Sequence, residues 1–313
     1  LRDEREESRS GLPLHAIEQE MPLPDNQKKN KRNNNVKRGV DYAPKTAKER
    51  FEANIAAIQL LKELEESGKQ ATPAQMKVLR KFTGWGGLGS FFPEGYISPT
   101  SDAGRLKQLL TPEEYDAANL SRNSAYFTPG AVIDRLWDIA AKFGFQGGNI
   151  TEGSAGTGEI LARIPQAMNE RSEILAVEID PITGGILKQL YPDARVEIDG
   201  FQNVSIPNGS QDLVITNVPF VRDLRVFDKE ESDLSKRFTQ IQDFCIAKNI
   251  RKLREGGLGI FIAGKSSLDS SKDLRKWIVK EGNCDVVGAF RLNKDTFNGT
   301  SATADIIVVK KRV

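Results

Sequence analysis

The 313-residue sequence predicts an α/β fold: a seven-stranded, mostly parallel, doubly wound sheet, mixed at one edge and preceded by a small N-terminal helical domain. Three observations predict it. Apolar runs centred near Ile150, Leu175, Val196, Val214, Ile260, Val286 and Ile307 read as strands. Segments with helical spacing or turn signals separate the first five, the alternation that builds parallel sheets. Strand ends run into polar or Gly-rich junctions, where a doubly wound sheet opens its ligand crevice.

The elements follow in order. Residues 1–44 are polar and carry Pro13, Pro22, Pro24 and Pro44, so they bury too little apolar surface to offset the entropy of ordering and read as a mostly disordered tail. Within it Lys28, Lys29, Lys31, Arg32, Lys37 and Arg38 form an acid-free basic run, read as a solvated tail or a phosphate contact. Residues 45–120 form the helical lead-in. Phe51, Ile55, Ile58, Leu61 and Leu64 share one helix face that Gly68 closes. Thr72-Pro73-Ala74-Gln75 and Thr111-Pro112-Glu113-Glu114 each offer an N-cap, a first-position Pro and a capping-box partner. Between them, Gly84-Trp85-Gly86-Gly87-Leu88-Gly89 has the glycines of a phosphate loop but not the Lys-Ser or Lys-Thr that should follow, so it reads as a turn pinned by Trp85 or a DNA-facing loop.

From residue 121 to 313 the main domain follows. Helices are expected from Thr128-Pro129 through Ala140 and over 159–164, 181–190, 238–253 and 270–279. Only the last two strands lack a helix between them, and their connection over 293–303 suits a hairpin that makes the edge antiparallel. Residues 221–240 mix five basic with five acidic side chains and read as a mobile lid or an exposed loop of balanced charge.

Composition narrows the chemistry. A charged fraction of 28%, a hydrophobic fraction of 38% and a net charge of +2 are ordinary for a soluble globular chain. With one histidine, His15, and two cysteines, Cys245 and Cys284, a zinc site, a Ser-His-Asp triad and a disulfide framework are disfavoured, and no metal is expected. The cysteines read as packing residues, since neither has the Pro-Cys setting of a cytosine-ring nucleophile. No stretch reads as membrane-spanning or as a leader, which makes the cytoplasm the expected compartment.

Glu152-Gly153-Ser154-Ala155-Gly156-Thr157-Gly158, between a strand and a helix, lacks the third glycine of a dinucleotide fingerprint. Glu152 would repel a pyrophosphate there but can pair with the amino group of a zwitterionic cation, which points to S-adenosylmethionine. Glu178 stands where an acid meets ribose hydroxyls, a placement that NAD would also satisfy. A tight turn with no ligand is the plain alternative, as solvated strand-end acids are for Glu178, Asp180 and Asp199. Downstream, Asn217-Val218-Pro219-Phe220 offers an amide oxygen and a neighbouring main-chain carbonyl to the two hydrogens of an amino group, and a ring to stack on its heterocycle.

Together these residues resemble the adenine-specific (N6) DNA methyltransferases, over about residues 121–313. The resemblance implies the S-adenosylmethionine-dependent methyltransferase fold and cofactor. Tyr126-Phe127-Thr128-Pro129 is similar to the segment closing over the cofactor's methionine part, and Glu152, Ser154, Ala155, Gly156 and Gly158 to the first motif. Glu178 and Ile179 take the ribose-side place, with Asp199, Gly200 and Phe201 completing the cofactor set. Asn217-Val218-Pro219-Phe220 resembles the catalytic Asn-Pro-Pro-Tyr/Phe motif. Val218 stands where most members have Pro; the reacting carbonyl is on the main chain, so only loop stiffness changes. Gly153 likewise replaces a commoner Pro.

The lead-in with Phe51-Glu52-Ala53-Asn54-Ile55 and Gly84-Trp85-Gly86-Gly87-Leu88 is similar to the methylase part of the methylase-helicase proteins of phages and conjugative elements. DNA is the implied partner, together with a fused or separate helicase or target-recognition module. Two other readings remain open: the same motif on RNA adenine or a protein Gln amide, and a catalytically degenerate domain that binds DNA or a partner. A dehydrogenase leaves Asn217 to Phe220 unexplained.

Overall fold

Neighbouring residues of each central strand serve opposite layers of the core. Leu213 and Ile215 join one buried cluster and Val214 the other; Ile260 and Ile262 oppose Phe261 and Ala263, and Ile306 and Val308 oppose Ile307 and Val309. A period of two is what a strand covered on both faces requires. The computed structural model describes residues 35–40, 42–122, 127–221, 224–294, 296–297 and 303–313.

Helices α1 (Ala47–Ser67), α2 (Pro73–Leu79), α3 (Asp102–Leu109), α4 (Pro112–Ser121) and α5 (Gly130–Lys142) come first. They lead into β1 (Asn149–Glu152), α6 (Glu159–Ala162), α7 (Gln166–Glu170), β2 (Glu173–Glu178), α8 (Pro181–Leu190) and β3 (Arg195–Ile198). The second half runs β4 (Gln211–Asn217), α9 (Ser232–Arg237), α10 (Ile241–Lys252), β5 (Leu253–Gly264), α11 (Ser266–Asp269), α12 (Lys272–Val279), β6 (Cys284–Arg291) and β7 (Ala304–Lys311).

All seven expected strands form one sheet in the order β3-β2-β1-β4-β5-β7-β6. β1 through β5 pair in parallel, and β7 runs antiparallel to both its neighbours. The mostly parallel α/β class, mixed at one edge by the final hairpin, is therefore the one expected. Within that hairpin β7 lies inward, between β5 and β6. Its Ile306, Ile307, Val308 and Val309 are all buried, whereas β6 exposes Val286, Val287 and Phe290 and so suits the rim. One expectation is corrected: the last strand pair is not alone in lacking an α-helix, since β3 and β4 are joined through a single 3-10 turn, Phe201–Asn203.

Caps fix the helix starts. Thr46 accepts from the Glu49 N–H in a capping box, and Gly68 ends α1 at φ 62°, the left-handed region that glycine enters without strain. Thr72 and Thr111 repeat the device with Pro73 and Pro112 behind them. The helix expected over 159–164 stops at Ala162, ahead of Pro165. Phe51, Ile58 and Leu61 of α1 belong to the same buried cluster as Ile133, Leu187 and Ile260, so lead-in and sheet share one layer.

Residues 35–40 and 42–44, part of the expected polar tail, lie against this body. Val36 is buried and its N–H donates to the Ala162 carbonyl at 2.7 Å, and Arg38 forks onto Asp138 with both contacts at 2.6 Å. Among residues 221–240 the reading of balanced, exposed charge is corrected. Asp228 and Glu231 are buried, and Lys248 and Lys252, one turn apart on α10, reach them. Lys248 Nζ stands 2.7 Å from Asp228 and also donates to the carbonyls of Phe201 and Val204. Among the described residues no helix is long and apolar enough to cross a membrane.

Candidate active site

Because the chain builds β2 and β3 on one side of β1 and β5 on the far side of β4, a crevice opens where the carboxyl ends of β1 and β4 part. Glu152 ends β1 and Asn217 ends β4. A cavity of about 340 Å³ lies there, a size that suits a small-molecule ligand.

The glycine loop forms one wall. The Ala155 N–H donates to the Val177 carbonyl and the Gly156 N–H to Glu178 Oε2, both at 2.8 Å, tying the loop to β2. Ser154, Ala155 and Gly156 line the cavity, but Gly158 does not. Instead Gly158 holds φ 81° over Tyr191, whose hydroxyl donates to its carbonyl at 2.5 Å; a Cβ there would sit 2.3 Å from the Tyr191 ring. Glu178, Ile179, Asp199, Gly200 and Phe201 form the next wall. Asp199 turns to its own loop, accepting from the Gly200 N–H and from Asn203 Nδ2.

The lining carries five carboxylates, Glu152, Glu159, Glu178, Asp180 and Asp199, and no Lys, Arg or His among the described residues. Burial, reinforced by Glu159 and Glu178, holds the Glu152 carboxyl well above the usual carboxylate range, and its Oε2 is buried without a hydrogen-bond partner. Burial also raises Glu159, against the hydrogen bond that the Tyr42 hydroxyl donates at 2.5 Å. Glu178 is pushed up to about 7 by burial, against hydrogen bonds from the Asp180 and Gly156 N–H groups. Such a cavity lacks positive charge and fits a ligand that brings it.

Asn217 to Phe220 close the opposite side. The Val218 N–H donates to the Ile262 carbonyl at 2.9 Å, extending the β4–β5 ladder by one residue, and its buried side chain packs in the core. Asn217 Nδ2 donates to Thr128 Oγ1 at 3.2 Å. In that orientation Asn217 Oδ1 faces no protein donor although it is buried. Pro219, Phe220, Phe127 and Thr128 complete the lining, and Tyr126 lies outside the described residues.

Over Phe127 sits the glycine-rich loop of the lead-in, whose Gly84 and Trp85 also line the cavity. Asn54 Nδ2 and Arg50 hold the carbonyls of Gly84 and Gly86 at 2.7 Å, and Trp85 meets Phe82 and Phe92 edge to face. It is thus a turn pinned by Trp85.

The sequence reading missed Glu159, Phe244, Cys245 and Phe297 as lining residues. Glu159 was signalled only by an acid in a first helical turn, a pattern common to many helices. Phe297 carries no local signal. Both cysteines are buried, as expected of packing residues, and burial pushes the Cys245 thiol up to about 12, far from a reactive thiolate.

No family model matches the chain. Over 287 residues, 88% of its length, the chain is 30% identical to the defense against restriction protein B of Escherichia phage P1, of which it covers 11%. Over 203 residues, 61% of its length, it is 25% identical to the type II methyltransferase M.CvrRI of Paramecium bursaria Chlorella virus XZ-6E, of which it covers 49%. The chain therefore spans less than half the length of either curated relative. A Listeria monocytogenes structure, assigned to the class I S-adenosylmethionine-dependent methyltransferases, matches with a TM-score of 0.51 at 15% identity, covering 85% of this chain and 88% of that one. By sheet topology and by that likeness, the chain has the fold of the S-adenosylmethionine-dependent methyltransferases, and its sequence relatives are named for methylation and for defence against restriction.

Proposed function

We propose that the chain transfers a methyl group from S-adenosylmethionine to the N6 amino group of adenine in DNA. One observation carries the reading: Asn217, at the end of β4, presents a buried amide oxygen without a protein donor to a cavity rich in carboxylates and free of cations among the described residues. The residues fit the cofactor. Glu152 Oε2 can accept from its amino group and Glu178 from its ribose hydroxyls, and the carboxylates suit its net positive charge. Ser154, Ala155 and Gly156 follow the ligand with main chain while Gly158 sets the loop's shape. Ile179, Gly200 and Phe201 would enclose its adenine with Asp199, and Phe127 and Thr128 would cover its methionine part.

S-adenosylmethionine supplies an electrophilic methyl group on a sulfonium. The chain's own residues prepare the acceptor. Asn217 Oδ1 and the Val218 carbonyl accept the two amino hydrogens and favour the pyramidal, nucleophilic nitrogen, with Thr128 holding the Asn217 amide in place. Phe220 stacks on the base after it leaves the duplex, a step that costs a few kcal/mol. Pro219 stiffens the turn between them. The relatives' names favour DNA over RNA or a Gln amide. A helicase or target-recognition module, fused or separate, is the partner this reading adds, and the cytoplasm its compartment.

Incubation with methyl-labelled S-adenosylmethionine and DNA of mixed sequence, followed by nucleoside analysis, should yield N6-methyladenine. Asn217→Ala should abolish transfer and leave cofactor affinity near that of the original chain. Full activity in that variant, or label on cytosine, would overturn the assignment.

A further inference from the structure

The cofactor cavity offers a DNA phosphate no basic side chain among the described residues, so the strand's charge must be met elsewhere. A second cavity of about 340 Å³ adjoins it, sharing Phe127, Thr128 and Glu159 as a common wall. Its sign is reversed. Among the described residues Lys45, Arg50, Arg80 and Arg163 line it against a single carboxylate, Glu159, which already accepts from the Tyr42 hydroxyl.

Among the described residues two of these cations, Arg50 and Arg80, have no carboxylate hydrogen-bonded to them. Arg50 donates to neutral oxygens, those of Thr83 and the Gly86 carbonyl. Arg80, directly after α2, lies over the Tyr42 ring at 5.8 Å, and its Nε is buried without a hydrogen-bond partner. Arg163 reaches Asp134 at 3.4 Å and donates to the Val40 carbonyl, yet its Nε too is buried and unpartnered. Gly130 makes room for it, since a Cβ there would lie 2.2 Å from Arg163 Nη2. Buried guanidinium groups with unmade hydrogen bonds cost free energy, which an incoming oxyanion recovers.

We propose that this second cavity is an oxyanion site taking a backbone phosphate of the DNA strand that carries the target base. The inference rests on the DNA methyltransferase reading. Through Thr128, whose hydroxyl holds the Asn217 amide, the phosphate site and the reaction site share a wall. Arg50 of α1 and Arg80 give the lead-in helices a part in binding the substrate.

Fluorescence anisotropy of the 313-residue chain with a labelled duplex oligonucleotide, over a series of KCl concentrations, tests this. Arg80→Gln and Lys45→Gln should each lower the slope of log affinity against log salt by about one and weaken binding equally on unrelated sequences. Both should keep the S-adenosylmethionine-induced rise in melting temperature. Lys45 is exposed, so its variant removes charge without disturbing the core. Unchanged slopes in both variants would overturn the proposal. So would loss of cofactor affinity with slopes intact, which would give the cavity to the cofactor's carboxylate. If the original chain fails to bind the duplex while S-adenosylmethionine still raises its melting temperature, the phosphate site falls and the methyltransferase reading stands. A lowered slope in a chain that the cofactor does not stabilise would keep the phosphate site and sink the methyltransferase reading.

Discussion

On the proposed reading, in which Glu178 accepts from the cofactor's ribose hydroxyls, cofactor binding is a proton-linked event. The Glu178 carboxyl sits at about 7 in place of the ordinary 4.5, chiefly through burial. Between those values the folded chain holds a proton that the unfolded chain has lost, so the contribution of Glu178 to stability falls as pH rises through that window. Two and a half pH units at about 1.4 kcal/mol each give about 3.5 kcal/mol as the ceiling, reduced by the water that reaches this half-buried group. A cationic ligand whose hydroxyls donate to Glu178 favours the carboxylate, so binding below about pH 7 must expel the proton. Apparent affinity for S-adenosylmethionine should rise by up to about tenfold per pH unit toward pH 7 and level off above it. Calorimetric titration near pH 6 in two buffers of different ionisation enthalpy should record close to one proton more released by the original chain than by Glu178→Gln. Glu178→Gln should bind more weakly and flatten the profile. Equal proton release by the two chains, or an unchanged profile in Glu178→Gln, would refute the reasoning.

Thr128→Val keeps the side-chain shape but removes the acceptor of the Asn217 amide, a hydrogen bond worth about 1 kcal/mol, so single-turnover transfer should slow by about fivefold. Lys248→Met strands the buried Asp228 carboxylate and should cost about 3–5 kcal/mol in urea denaturation. Adding Asp228→Asn should recover part of that loss. Gly84→Ala forces a side chain into φ 64° and toward Phe127 at 2.8 Å; thermal melting should show a loss of about 2 kcal/mol or more, with weaker cofactor binding because Phe127 lines that cavity.

What the sequence revealed was what lies close together along it. Strand runs such as Ile260 to Ala263 announce themselves because both faces are covered, and Thr46, Thr72 and Thr111 mark helix starts by contacts three residues long. The glycine loop and Asn217 to Phe220 were legible for the same reason: each is one continuous turn at a strand end. Pairing across distance was not legible. Nothing local says that Lys248 will bury itself against Asp228, twenty residues earlier, so an apparently balanced surface segment hid an interior ion pair. Neither does spacing reveal that Gly84 comes to rest on Phe127, nor that Arg50, Arg80 and Arg163 converge beside Glu159. The hairpin over the last two strands was anticipated, but which of the two would face inward depended on packing against β5.

The position of β7 bears on how the chain is made. A ribosome delivers β5 well before residues 304–311, and until they arrive Ile260, Phe261 and Ile262 have β4 on one side and an open backbone edge on the other. That exposed apolar edge invites pairing with any other strand nearby. A nascent chain halted before Ala304 would therefore hold a complete glycine loop and a complete Asn217 turn on an unfinished sheet, and would depend on holdase protection until its penultimate slot is filled.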